Sequence, residues 1–357
     1  MKFIVTEFNK IHGWQRLDGW FLHNFIAQLK NYHTVINEFF TQSDIESSDA
    51  IIFPRAWAGD YTFDTELFIK CQHKPFIVVD FSEYGYRKMI DEEYLTARDI
   101  LGEKTDNYFW YNWSPEHHKL MERFLDCDIR INFKRELSKT VFENQQRVPV
   151  VPIDYFCYNM PVIIPASQEE FYARPIELFH VWGPSNMERA RLQGKIMMEI
   201  DRMGHDMFTS KAQLDEYLKA NGKSGCVLMR ADSYERIKFF EIQKLCKTVL
   251  DLFGCGMKCF RNWEAALDSI SIKQDPSLLV RAFPWTPNVN CITLPTKVNT
   301  MDYDVVFEII YEFIRGPKQH LLYPIYKEGI SHVRKYDGKY YFENHVLPLI
   351  NKHLKKD

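Results

Sequence analysis

Apolar positions along this chain fall into two rhythms that keep replacing each other. "KFIVTEF", residues 2–8, is dense in β-branched and aromatic residues and predicts a strand. In "WQRLDGWFLHNFIAQLKNY" the residues Leu17, Phe21, Phe25 and Leu29 recur every four positions, which predicts an amphipathic helix. "HTVINEF" and "DAIIFPRA" predict strands, the second apolar enough to be buried on both faces. "TFDTELFIKCQ" predicts a short helix, and "KPFIVVDFSEYGY" a buried strand running into a polar loop. "DIRINFKREL" and "RVPVVPIDY" add two more strands. Strands alternating with helices predict parallel β-α-β units with both sheet faces covered.

The pattern pauses at "PVIIPASQEEFYARP", residues 161–175, whose three prolines read as a linker or domain crossing. Then the alternation restarts. "IELFHVWG" predicts a strand, and "SNMERARLQGKIMMEIDRMG" a helix with Ser185 at its N-cap. "GCVLMRA" predicts a strand, "SYERIKFFEIQKLCKT" a helix and "TVLDLFG" a buried strand. "YDVVFEIIYEFIRG" and "ENHVLPLINKHL" predict terminal helices. No repeat of fixed period is present. A length of 357 residues suits two domains. The expected fold is α/β: two Rossmann-like doubly wound β/α domains facing across a cleft. The first covers residues 1–165 and the second 166–320, with helices over 321–357 that can cross back onto the first. Ligands of such sheets sit beyond the carboxyl ends of the strands.

Composition narrows the partners. Hydrophobic residues make up 46% and charged residues 26%, as in a soluble globular protein. A net charge of −3 lacks the basic surplus of a nucleic-acid-binding protein. The eight cysteines contain no CxxC pair, and Cys255 and Cys259 have no nearby ligands to complete a zinc site. They read as buried free thiols of a reducing compartment. "MKFIVTEFNK" is too short in its apolar run for a signal peptide, and no run of apolar residues is long enough to span a membrane. The expected location is the cytoplasm.

One stretch carries chemistry: "TVLDLFGCGMKCFRNWEAALDS", residues 248–269. A buried strand runs into Gly254 and Gly256, which permit positive φ and close backbone approach. A helix from about Met257 would offer its free N–H groups to a phosphate. Lys258, Arg261 and Glu264, three apart, trace one slanted stripe on that helix. Two cations meet a diphosphate, and an arginine does so bidentately. Glu264, one turn deeper, suits the hydroxyls of a ribose or sugar. The same spacing also suits ion pairs on a solvated face. The third glycine of a dinucleotide fingerprint is missing, as is a Walker lysine motif, which turns the reading away from dehydrogenases and ATPases.

These residues carry a resemblance. From Glu177 to Leu294, about a third of the chain, the sequence resembles the carboxyl half of the exostosin-like glycosyltransferases, within the broader GT-B class. "IELFHVWGPSNMERARL" is similar in its strand, glycine-containing loop and arginine-bearing helix. "SYERIKFFEIQKLCKTVLDLFGCGMKCFRNWEAALDS" is similar in its strand, glycine loop, Arg and Glu-Ala pair. The resemblance implies that Arg261 and Glu264 contact a nucleotide-sugar donor, and that Gly183, Ser185, Asn186 and Arg189 form the opposite wall. Where the family continues in a "GCIPV"-like strand, this chain has "LDSISIKQDPSLLVRAFP". The amino half matches only in its alternation and in "FKREL".

The implied function is transfer of a sugar from a nucleotide-diphosphate sugar to a glycan or other hydroxyl acceptor. The first domain would bind acceptor and the second donor. The class implies no metal and no other cofactor, with Lys258, Arg261 and a helix N-terminus stabilising the departing diphosphate. "DCD", residues 126–128, reads as surface acids rather than a metal pair. An inverting reaction needs a base from the first domain. The candidates are Asp80 and Glu83, then Asp60, then His12, all after predicted strands. A retaining reaction needs none, and both outcomes stay open. "YFWYNWSPEHH", residues 108–118, reads as a sugar-stacking loop or the start of a core-covering helix, and "FPWTPN", residues 283–288, as a loop near the donor base. Two other functions fit the same layout: a two-lobed binding protein that closes on a ligand without chemistry, and a nucleotide-sugar epimerase.

Overall fold

The computed structural model describes residues 1–6, 17–37, 39–55, 69–80, 127–135, 137, 139–143, 148–181, 187–203, 206–221, 225–230, 236–252, 261–274, 279–295 and 302–355. Contacts divide the chain into two compact units. The first holds Met1–Met160, Ser277–Ala282 and Asp337–Asp357, and the second Pro161–Pro276 and Phe283–Tyr336. The break falls at Met160/Pro161 rather than after residue 165, and Leu322–Val333 belongs to the second unit, with only the last 21 residues counted in the first.

In the first unit, β1 (Lys2–Val5), β2 (Thr34–Ile36), β3 (Ala50–Arg55), β4 (Phe76–Asp80), β5 (Ile129–Lys134) and β6 (Val150–Pro152) form a parallel sheet. Their order is β2-β1-β3-β4-β5-β6, so the winding reverses between β1 and β3. The strands are apolar on both faces because both faces are covered. Helix α1 (Leu17–Lys30) buries Phe21, Leu22, Phe25, Ile26 and Leu29, the stripe its periodicity announces. Phe25 meets Phe133 of β5 and Phe342, at ring separations of 6.2 and 5.1 Å. Pro152 costs no ladder bond in the sheet interior because β6 is an edge strand.

The second unit repeats the plan with β7 (Ile176–Val181), β8 (Asp206–Phe208), β9 (Cys226–Arg230), β10 (Cys246–Asp251), β11 (Ile270–Gln274) and β12 (Ile292–Leu294). All pairings are parallel, in the order β12-β11-β10-β7-β9-β8, and here the winding reverses between β7 and β10. Two doubly wound α/β units, as expected from the alternation, are therefore present. Helix α2 (Tyr303–Ile314), capped by Asp302, buries Val306, Phe307, Ile310, Phe313 and Ile314. Helix α3 (Leu322–Val333) adds Ile325, Tyr326 and Ile330 to the same core as Ile272 and Ile292.

Several elements differ from expectation. The segment 161–175 is not all linker: Ser167 caps a helix over Gln168–Tyr172 with a reciprocal bond from Glu170, and Phe171 is buried. The helix expected to run to Thr248 stops at Gln243, and β10 begins at Cys246 because all six of its residues are buried. β8, β11, β12 and the helix Lys211–Asn221 have no counterpart in the sequence expectation, whereas α3 falls among the helices expected over 321–357. Among the described residues no helix is long and apolar enough to cross a membrane.

Candidate active site

The two loops singled out for the donor leave from neighbouring strands. β7 and β10 pair in parallel, with Thr248 opposite Leu178 and Val249 opposite Phe179. That register carries Val181 and Asp251 to the same carboxyl edge, about 5 Å apart. Residues 182–186 follow the one and 253–260 follow the other. β7 and β10 are also the strands between which the winding reverses, the place where doubly wound sheets in general bind their ligands. The pairing is reinforced inside: Lys247 Nζ lies 2.7 Å from Glu177 Oε1, with both side chains almost fully buried, and Thr248 Oγ1 donates to the Glu177 carbonyl.

The carboxyl edge holds a second buried pair. Asp251, the last residue of β10, lies 3.4 Å from Lys273 Nζ of β11. Lys273 Nζ also sits 3.7 Å from the Trp285 ring centroid, and Trp285 stacks on Tyr336. The "FPWTPN" aromatic is thus engaged within its own unit. Asp251 and Lys273 carry a usable sequence signal, two opposite charges on apolar strands, because buried charges must be paired.

Among the donor residues, Gly183, Ser185, Asn186, Gly254, Gly256 and Lys258 lie outside the described residues. Arg189 falls within the helix Met187–Met198, after the β7 loop, and Arg261 opens a one-turn helix, Arg261–Glu264. Four residues of helix sum little of a macrodipole.

Glu264 is described, and its backbone is tied to the segment that leads into β10. Its carbonyl accepts from Gln243 Nε2 at 2.7 Å, and Gln243 lies three residues before the first residue of β10. Ser269, one residue before β11, closes the same turn by donating to the Ala265 carbonyl. The chain leaves β10 at the carboxyl edge and returns to β11 at the amino edge, so Glu264 sits toward the amino edge. A strand of this length spans about 17 Å. Glu264 is 6% exposed, beside fully buried Trp263, Ala265 and Ala266. Arg261, one turn earlier, is nearer the carboxyl edge. A stripe drawn along a sequence carries no information about how far the helix runs back along the sheet.

At the amino edge, Arg174 donates to the Cys246 carbonyl and to Asp268 Oδ1, both at normal hydrogen-bond lengths, and to the Asp268 carbonyl. Tyr326 also donates to Asp268 Oδ1, at 2.7 Å. Burial, then this bond to a carboxylate, pushes the Tyr326 phenol up to about 12.

In the first unit the proposed bases follow neighbouring strands. Asp80 ends β4 and pairs in register with Arg55, the end of β3. The side chain of Asp80, and all of His12, Asp60 and Glu83, lie outside the described residues, as does the aromatic run 108–118. Asp128 of the acidic "DCD" is half-exposed and paired with Arg130 at 2.8 Å. Among the described residues no group of three or more His, Cys, Asp and Glu could hold a metal ion. The described cysteines, Cys71, Cys127, Cys157, Cys226, Cys246 and Cys291, are free thiols, and all but Cys127 are buried.

No protein-family model matches the chain, and no curated protein sequence matches it. Similar solved structures include the pneumococcal O-GlcNAc transferase GtfA in complex with UDP and GlcNAc, with 10% identity and a TM-score of 0.45, over 87% of this chain and 59% of that one. The chain thus spans little more than half the length of that transferase. OtsA without ligand is similar at 11% identity and a TM-score of 0.45, over 96% of this chain and 79% of that one. The UDP-forming α,α-trehalose-phosphate synthase of Burkholderia xenovorans, in complex with glucose-6-phosphate, is similar at 10% identity and a TM-score of 0.44, over 96% and 85%.

Proposed function

We propose that this chain is a glycosyltransferase of the exostosin-like, GT-B kind, which moves a sugar from a nucleotide-diphosphate sugar to a glycan or other hydroxyl acceptor. The observation that supports it is the departure of residues 182–186 and 253–260 from paired strands β7 and β10, at one edge and at the point where the winding reverses. Gly254 and Gly256 let the backbone approach the diphosphate, and Lys258 and Arg261 neutralise it. Gly183, Ser185, Asn186 and Arg189 supply the facing wall. Glu264 has no part in donor contact on this reading, since it sits toward the other edge. In the transfer, the bond from the anomeric carbon to the diphosphate breaks and the diphosphate leaves with the electron pair. A bond from the acceptor oxygen forms, and in an inverting reaction the acceptor proton passes to Asp80, Glu83, Asp60 or His12. No metal is needed, because the cations do its work. Nucleic acid is not the partner, and the free thiols fit the cytoplasm.

Calorimetric titration of the parent and Arg261→Ala with UDP and GDP tests the site. The parent binds one nucleotide, and the variant loses at least tenfold in affinity while its circular dichroism is unchanged. Equal affinity for both proteins removes the proposed site. Slow hydrolysis of a nucleotide sugar separates a transferase from a binding protein, which hydrolyses none.

A further inference from the structure

The second unit has a pocket of about 490 Å³ at the opposite edge of its sheet. Arg174, Lys244 and Asp268, which line it, precede β7, β10 and β11. It therefore lies at the amino ends of the strands, about 17 Å from the carboxyl edge. Its size falls within the range of small-molecule sites.

One wall is apolar and open to a ligand. Ile163 packs against the core of the unit, while its neighbours Val162 and Ile164 are 93% and 83% exposed and line the pocket. Successive side chains of an extended chain point to opposite sides, so Val162 and Ile164 share one face. Half-buried Phe240 adds to the lining. Apolar surface this exposed gains from being covered by hydrocarbon.

The charged lining groups sort into a pair that is satisfied internally and two that are not. Arg174 and Asp268 hold each other at 2.8 Å, and Tyr326 also donates to Asp268. Lys244 is exposed, and among the described residues its ammonium has no ion-pair partner. Glu170 is exposed as well, and among the described residues no cation pairs with it. One of its carboxylate oxygens accepts from the Ser167 backbone N–H at 2.7 Å. That bond holds the carboxyl below its usual range, so it is ionised at neutral pH. A cation and an anion, both accessible, therefore stand beside the apolar wall.

We propose that this pocket binds a free apolar α-amino acid. Its carboxylate meets the Lys244 ammonium, its own ammonium meets the Glu170 carboxylate, and its side chain covers Val162 and Ile164. A zwitterion answers both charges at once, whereas a simple anion or cation leaves one of them unanswered. The site is independent of the carboxyl edge and of any transferase activity.

The test is a saturation-transfer NMR titration of the full chain with L-leucine, beside N-acetyl-leucine, which lacks the ammonium, and leucinamide, which lacks the carboxylate. Leucine binds at about millimolar concentration, and each blocked probe about fivefold more weakly, the scale of one exposed charge pair. Lys244→Met weakens leucine and N-acetyl-leucine and leaves leucinamide unchanged. Glu170→Gln weakens leucine and leucinamide and leaves N-acetyl-leucine unchanged. Both positions are exposed, and glutamine keeps the capping box with Ser167, so both variants fold. Absence of transfer to the parent up to the solubility limit of leucine overturns the proposal. Equal binding of the three probes, or a variant that changes all three alike or none, does the same.

Discussion

Replacing Lys247 by methionine isolates what holds β7 to β10. Methionine matches the lysine stem in length but carries no charge, so Glu177 loses its ion-pair partner at 2.7 Å while remaining about 95% buried. Breaking a buried pair from one side costs about 3–5 kcal/mol, because the remaining charge stays desolvated. For a unit of this size each kcal/mol moves the melting temperature by about 2–4 °C, so the expected fall is about 6–20 °C. Removing both charges, in Glu177→Leu with Lys247→Met, restores stability to within about 1 kcal/mol of the parent or better. The Thr248 hydroxyl still reaches the backbone carbonyl at position 177 in the double variant. Differential scanning calorimetry of the four proteins gives the full cycle. A Lys247→Met transition within a degree of the parent, or a double variant as unstable as the single one, refutes the argument that desolvation of the unpaired carboxylate dominates.

Three further outcomes are expected. Glu264→Gln leaves UDP and GDP affinity within threefold of the parent in calorimetric titration, whereas Arg261→Ala does not; a loss shared by both would return Glu264 to the donor site. Tyr326, raised from an ordinary value near 10 to about 12 in the folded chain, favours folding fully below pH 10 and loses that contribution as pH climbs through 12. Tyr326→Phe should therefore show less alkaline loss of stability across that window in denaturant titrations, and an identical pH dependence would contradict the assignment. Gly338→Ala places a Cβ 2.9 Å from the Cys157 carbonyl in the first unit, against backbone that cannot yield cheaply. A loss of about 1–3 kcal/mol is expected from overpacking, read by urea unfolding.

Much of this protein is written in its local pattern. The stripe Phe21, Phe25, Leu29 and the runs "IIF" and "FIVV" each specify an element, because a period of four or an unbroken β-branched run has one way to bury itself. The buried run of β10 was legible for the same reason. The capping box at Ser167 and Glu170 was equally present and was overshadowed by the prolines around it. β11 was harder. "ISIKQ" alternates apolar and polar residues like a half-exposed strand, yet every position is buried, since Lys273 finds Asp251 on one neighbouring strand and Trp285 in a later loop. Those partners are 22 and 12 residues away along the chain, and no local pattern announces them.

Sequence alone thus determined the alternation and the two parallel α/β units, because these depend on neighbours in the chain. Tertiary structure decided which strands lie side by side, and it tied the Glu264 carbonyl to Gln243. The physical reason is that strand order and the return path of a helix are set by which buried faces and charges meet across the fold. Gln243 meeting the Glu264 carbonyl, and Lys247 meeting Glu177, are contacts that only the folded chain brings together.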